Sequence, residues 1–232
     1  MQTRSPSYQL LLRASEKLGT ICERVVFVGG SVTCLLVTDN AAPEVRATED
    51  IDLIVEVVTQ LNYHKLEDEL RGYGFSNDLH SHIGRFNGHG LILDVMAADL
   101  DSTGQINRWY PEAIKQKVGI QLDNNKTIWH ISAPLFLATK LEAHANRGQD
   151  DPFASKDLTD IISVFDGRDT IMWEVHQCTK EVREFIGNEL YKLLSLKYFD
   201  ELLSGHLPAD TISQQRRETI VARMKSIHEH LA

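Results

Sequence analysis

The chain has 232 residues, 42% of them hydrophobic and 25% charged, with a formal charge of −9. That length supports one large domain or two small ones with a proper core, and the acidic balance gives no overall electrostatic support for nucleic-acid binding. No apolar run approaches the roughly 18–20 residues of a membrane helix, the opening Met-Gln-Thr-Arg-Ser-Pro-Ser lacks a signal-peptide apolar region, and Cys22, Cys34 and Cys178 match no zinc or redox spacing, so a reduced, cytoplasmic protein without a membrane partner is expected.

In chain order, Tyr8–Leu18 reads as a helix from its leucine spacing. Arg24–Val28 reads as a short buried strand, ending at Gly29-Gly30. Ser31–Val37 follows as a helix, and Asp39–Pro43 as a loop. Asp50–Val58 is strand-like and rich in β-branched residues, and Leu61–Gly72 is helical with a Gly-Tyr-Gly stop. Gly88-His89-Gly90 separates Arg85-Phe86-Asn87 from Leu91–Met96, a hairpin signal, and Lys126–Ile131 reads as one more strand. From Pro134 the pattern is helical, in four or five segments. The expectation is an α/β (α+β) mixed sheet with helices over residues 1–131, followed by a C-terminal helical domain over 132–232.

Two constellations carry chemistry. Asp50 and Asp52 stand at i and i+2 at the head of an apolar strand, so both carboxylates point to one face. Asp94 sits inside the apolar strand Leu-Ile-Leu-Asp-Val-Met, and if the two strands are neighbours, three carboxylates meet. Such a set suits one or two Mg2+ or Mn2+ ions. Upstream, Gly29, Gly30 and Ser31 form a glycine turn that opens a helix, a place where backbone N–H groups hold phosphate. Metal carboxylates beside a phosphate cradle suggest metal-assisted transfer from a nucleotide. The structural alternative has Asp50 capping a turn, Asp52 facing solvent, and Asp94 paired with a nearby cation. Arg46 is read as a phosphate contact or as a partner of Asp50 or Glu49, and Thr48 as tying its hydroxyl to the loop backbone.

The second constellation is helical. Lys140, His144 and Arg147 recur at i, i+4 and i+7 as one basic stripe, while Asp157 and Asp160 share a face of the next helix. On their own residues they read as two helices joined by surface ion pairs. His80, His82 and His89 are read as surface-loop histidines, and Gln214–Arg217 with Arg223 and Lys225 as a solvated helix face.

V-G-G-S, then R-A-T-E-D-I-D-L-I-V, then a later strand Asp together resemble the DNA-polymerase-β-type nucleotidyltransferase fold. More narrowly, Arg46-x-Thr48-x-Asp50-Ile51-Asp52, with L-A-T-K-L-E-A-H-A-N-R-G and S-K-D-L-T-D-I-I behind it, is similar to the AbiEii/AbiGii group of type IV toxin–antitoxin and phage-defence proteins. The resemblance spans about residues 25–165. It implies Asp50, Asp52 and Asp94 as catalytic metal ligands, Lys140, Asp157 and Asp160 as further catalytic residues, and Gly29, Gly30, Ser31, Arg46, Thr48 and Lys140 as nucleotide contacts. It also implies an NTP such as ATP as substrate, with a tRNA 3′ end or a protein hydroxyl as acceptor, and a cognate antitoxin as partner. The alternatives are an antibiotic-type small-molecule acceptor, or a non-catalytic nucleotide- or partner-binding module such as an antitoxin-like regulator.

Overall fold

The computed structural model describes residues 3–56, 60–78, 80–82, 84–98, 107–148 and 150–229. The last two residues of the expected 50–58 strand lie outside them. Strands are β1 (Val25–Val28), β2 (Asp50–Val55), β3 (Ser76–Asn77), β4 (Arg85–Gly88), β5 (Leu91–Ala97), β6 (Val118–Gln121) and β7 (Thr127–His130). Helices are α1 (Pro6–Leu18), α2 (Thr33–Leu36), α3 (Gln60–Gly72), α4 (Tyr110–Lys115), α5 (Ala133–Arg147), α6 (Lys156–Gly167), α7 (Ile171–His176), α8 (Lys180–Leu194), α9 (Phe199–Gly205), α10 (Thr211–Gln215) and α11 (Arg217–Glu229). The fold class is mixed α/β, as expected.

One compact unit comprises Thr3–Val32 and Ala47–Ser132 and contains the whole sheet, ordered β3-β4-β5-β2-β1-β7-β6. β1 reads Val-Val-Phe-Val and is buried at every position, as a central strand requires. It runs antiparallel to β2 and parallel to β7, and β2 runs parallel to β5. In β2 the buried residues are Ile51, Leu53, Ile54 and Val55, whereas Asp50 and Asp52 are partly exposed. α1 starts at a Ser5 cap that accepts from the Tyr8 N–H, with Pro6 in its first turn. It buries Tyr8, Leu11, Ala14, Ser15 and Leu18 along one stripe. The Tyr8 hydroxyl accepts from the Asp123 N–H at 3.1 Å, tying α1 to the β6–β7 turn.

The β4–β5 hairpin turns on His89 and Gly90, whose φ values are +55° and +68°. Two consecutive positive φ angles mark a primed two-residue turn, whose twist matches that of the flanking strands. This sets the register: Gly88 opposite Leu91, and Arg85 opposite Asp94.

The other unit comprises Thr33–Arg46 and the chain from Ala133 onward, and among its described residues it is helical. α5 is buried without interruption from Ala133 to Leu141 and packs on α6 and α8. The early segment belongs with these helices for identifiable reasons. The Gly167 carbonyl accepts from the Thr38 and Asp39 N–H groups at 2.8 and 2.9 Å, and Arg168 donates to the Leu36 carbonyl at 3.0 Å. Gly167 itself is required, since a Cβ there would lie 2.5 Å from Val37 Cγ1.

Two expectations about elements change. Residues 31–37 do not make one helix: Gly30–Val32 is a 3-10 turn and α2 is a single turn. Its β-branched Val32, Thr33 and Val37 disfavour longer helix. The helical half also has more segments than expected, because α7, α9 and α10 are short and separated by tight turns. Among the described residues no helix is long and apolar enough to cross a membrane.

Candidate functional site

On the sheet, Asp52 and Asp94 are direct partners across the parallel β2–β5 ladder, and Asp50 lies two residues before Asp52 on the same face. The register thus sets on one face the three carboxylates that spacing alone could only suggest. At the end of β1, Val28 is the partner of Asp52, which places the glycine turn beside that carboxylate. Gly29 has φ +67°, and a Cβ there would stand 1.8 Å from Asp52 Oδ2. Only glycine permits both this backbone conformation and this approach. Gly30 and Ser31 are buried, and the Ser31 hydroxyl donates to the Val28 carbonyl at 3.3 Å. Thr48 donates its hydroxyl to Asp50 Oδ1 at 2.7 Å, a side-chain partner where a backbone one was expected.

Arg85 completes this face. Its Nε donates to Asp94 Oδ1 at 2.7 Å and its Nη2 to Asp94 Oδ2 at 2.6 Å, a bidentate charge-assisted pair. Nη2 also lies 3.5 Å from Asp50 Oδ2, so the guanidinium reaches across β5 to a carboxylate on β2. The carboxylates hold Arg85 firmly protonated, through its bond to Asp94 above all. His82 Nε2 stands 3.1 Å from Asp94 Oδ1. His82 is exposed, as a loop histidine should be, but it borders this site. His89, in contrast, meets the Tyr73 carbonyl and the edge of Phe75.

Sequence reasoning passed over Arg85, yet the signal was present. A two-residue His89-Gly90 turn in the recognised hairpin pairs residues whose numbers sum to 179, and this sets Arg85 opposite Asp94. Pairing of Asp94 with a nearby cation was the structural alternative, and Arg85 is that cation.

The all-oxygen donor set suits a hard divalent ion. As arranged, however, no three His, Cys, Asp or Glu side chains converge as a metal-holding group among the described residues. Arg85 occupies both oxygens of Asp94 and supplies the positive charge that a cation would bring. The residues fit Mg2+ or Mn2+ in chemistry, with Arg85 as the stand-in ion.

The helical unit gathers the second constellation. Lys140 Nζ lies 3.0 Å from Asp157 Oδ1 and 2.8 Å from Asp160 Oδ2, and all three residues are buried. Arg46 forks onto Asp160 at 2.8 and 2.9 Å, not onto Asp50 or Glu49. Arg147 reaches Asp157 at 3.1 Å, and His144 shares a 3.0 Å hydrogen bond with Ser155, the cap of α6. The basic stripe of α5 thus faces the acidic face of α6. Burial alone would lower the Lys140 pKa, but Asp160 and Asp157 outweigh it and leave the ammonium raised. Burial would raise Asp157, but Lys140 and Arg147 hold it below the ordinary carboxylate range. The Lys140 pairs are buried, a different case from weak surface bridges, whereas Arg147 is exposed.

The late basic stretch is also not a free solvated face. Arg216 pairs with Asp39 at 2.7 Å and with Asp166, and Arg223 donates to the Phe165 and Asp166 carbonyls at 2.7 and 2.8 Å. Both guanidinium groups cap the C-terminal end of α6, where cations are favoured.

No family model matches the chain, and no curated protein sequence does. Among solved structures, the chain is similar to one described as "putative nucleotidyltransferase from H. pylori", at 11% identity and a TM-score of 0.49, over 97% of this chain and 94% of that one.

Proposed function

We propose that this chain is a metal-dependent nucleotidyltransferase that moves an NMP from an NTP to an acceptor hydroxyl. The observation that supports this most is the in-register pair Asp52 and Asp94, with Asp50 on the same face and Gly29 pressed against Asp52. Asp50, Asp52 and Asp94 would hold Mg2+ or Mn2+. The ion supplies charge neutralisation of the triphosphate oxygens. Backbone N–H groups of the Gly29-Gly30-Ser31 turn receive the β- and γ-phosphates. Asp94 accepts the proton of the acceptor hydroxyl, whose oxygen attacks the α-phosphorus in line and expels pyrophosphate. The chain contributes mainly positioning and fixed charge.

The AbiEii-like motifs support a finer reading. The acceptor is a tRNA 3′ end or a protein hydroxyl, and the chain acts as a toxin or phage-defence enzyme opposed by a cognate antitoxin. Lys140, Asp157 and Asp160 belong to that reading as nucleotide-orienting residues, although their mutual pairing equally explains their burial. The test is incubation with each α-labelled NTP, Mg2+ or Mn2+, and total RNA or protein. Wild type labels an acceptor and Asp52→Asn does not; no labelling by metal-loaded wild type contradicts the reading. The Arg85 fork on Asp94 favours one second reading, a non-catalytic nucleotide-binding module. It would bind Mg2+ and NTP without turnover.

A further inference from the structure

We infer that Arg85 is a built-in competitor of the divalent cation: it positions Asp94 while the metal is absent and must release it before metal is bound. This rests on the metal-dependent reading given above.

Three carboxylates share one face, and Asp94 is 6% exposed. A buried carboxylate without a partner is costly, so the metal-free chain needs a resident positive charge there. Arg85 provides it by cross-strand register, fixed by the His89–Gly90 turn. A purely structural cross-strand bridge would end at Asp94. This guanidinium instead extends over β5 to Asp50 on β2, so it faces two of the three carboxylates. It also takes both oxygens of Asp94, Nε on Oδ1 and Nη2 on Oδ2. With a guanidinium hydrogen on each oxygen and its positive charge alongside, Asp94 is a poorer metal ligand until the fork opens. Metal affinity is therefore reduced by whatever the fork contributes, and a charged bidentate pair of this kind corresponds to about ten- to a hundred-fold in affinity.

The test is Mn2+ binding to the purified full chain, followed by the loss of the free-ion paramagnetic resonance signal. Arg85→Met, which keeps a stem of similar bulk without the fork, should bind Mn2+ about ten- to a hundred-fold more tightly than wild type. Arg85→Lys keeps the charge without the fork and should fall between them, and it serves in place of Arg85→Met if that variant does not fold. In an Asp94→Asn background the Arg85 effect should largely vanish, which a general change in fold or net charge would not produce. Unchanged or weaker Mn2+ binding by both Arg85 variants overturns this inference and leaves the metal reading standing. Absence of Mn2+ binding by wild type and by every variant overturns the metal reading, and this inference with it.

Discussion

Replacing Lys140 with Met removes an ammonium from a buried network and leaves its apolar stem in place. Lys140 contacts Asp157 at 3.0 Å and Asp160 at 2.8 Å, and its side chain is 9% exposed against 7% and 1% for theirs. After substitution, Asp160 keeps the Arg46 fork and Asp157 keeps Arg147, whose side chain is 72% exposed and therefore well screened by water. Breaking a buried pair typically costs about 3–5 kcal/mol. The remaining guanidinium groups place Lys140→Met near the lower end, about 3 kcal/mol. Urea unfolding followed by far-UV circular dichroism measures it, as a lower midpoint at unchanged slope. Adding Asp157→Asn and Asp160→Asn should recover part of the loss, since the carboxylates left behind cause much of it.

The pH dependence gives a second readout. The folded Lys140 pKa is raised, so its contribution is complete below the unfolded value of about 10.4 and is lost as pH rises through the folded value. Asp157 is depressed, so its contribution is present above about 3.9 and is lost as pH falls through the folded value. Lys140→Met should flatten the alkaline limb. A loss below about 1 kcal/mol, with both limbs unchanged, would falsify the view that these ions hold α5 on α6.

Gly29→Ala should cost at least about 2 kcal/mol in urea unfolding, because it combines a left-handed backbone with a Cβ 1.8 Å from Asp52 Oδ2; a neutral result would contradict the close approach. Arg216→Met should cost about 2–4 kcal/mol by stripping Asp39, Asp166 and the end of α6 of one shared guanidinium, and a loss within about 0.5 kcal/mol would return that residue to the surface. His144 and His206 are both depressed, by burial first of all, so their contribution is present above about 6.5 and is lost as pH falls through the folded values. Stability should decline from pH 7 toward pH 5, and a His144→Gln/His206→Gln double variant should show a shallower decline if those two groups carry it.

Much of the sheet was legible because its signals are local. The β-branched run of β1, the alternation around Asp50 and Asp52, and the glycine-bounded hairpin each mark an element within a few residues. The pairing of β2 with β5 was conditional, since the parallel crossover that joins them is a long-range event with no adjacent turn to set its register. Arg85 shows the opposite case: the hairpin rule was available, and applying its register would have delivered the cation beside Asp94. The ions around Lys140 were legible as helical faces, but their burial depends on how α5 and α6 pack. Of the two readings of Arg46, only the pairing one is corrected: Glu49 and Asp50 are the nearest acidic residues in sequence, while the fold presents Asp160. The Arg216 and Arg223 caps were hidden for the same reason, their acceptors on α6 lying 50 and 58 residues away.

The most direct test of the central claim is anomalous diffraction from crystals soaked with Mn2+ and a non-hydrolysable NTP. The account predicts a manganese peak bound by Asp52 and Asp94 with Asp50 alongside, triphosphate against the Gly29-Gly30 turn, and Arg85 withdrawn from Asp94. Ordered nucleotide elsewhere, with Arg85 still forked on Asp94 and no metal at the carboxylate face, would contradict it.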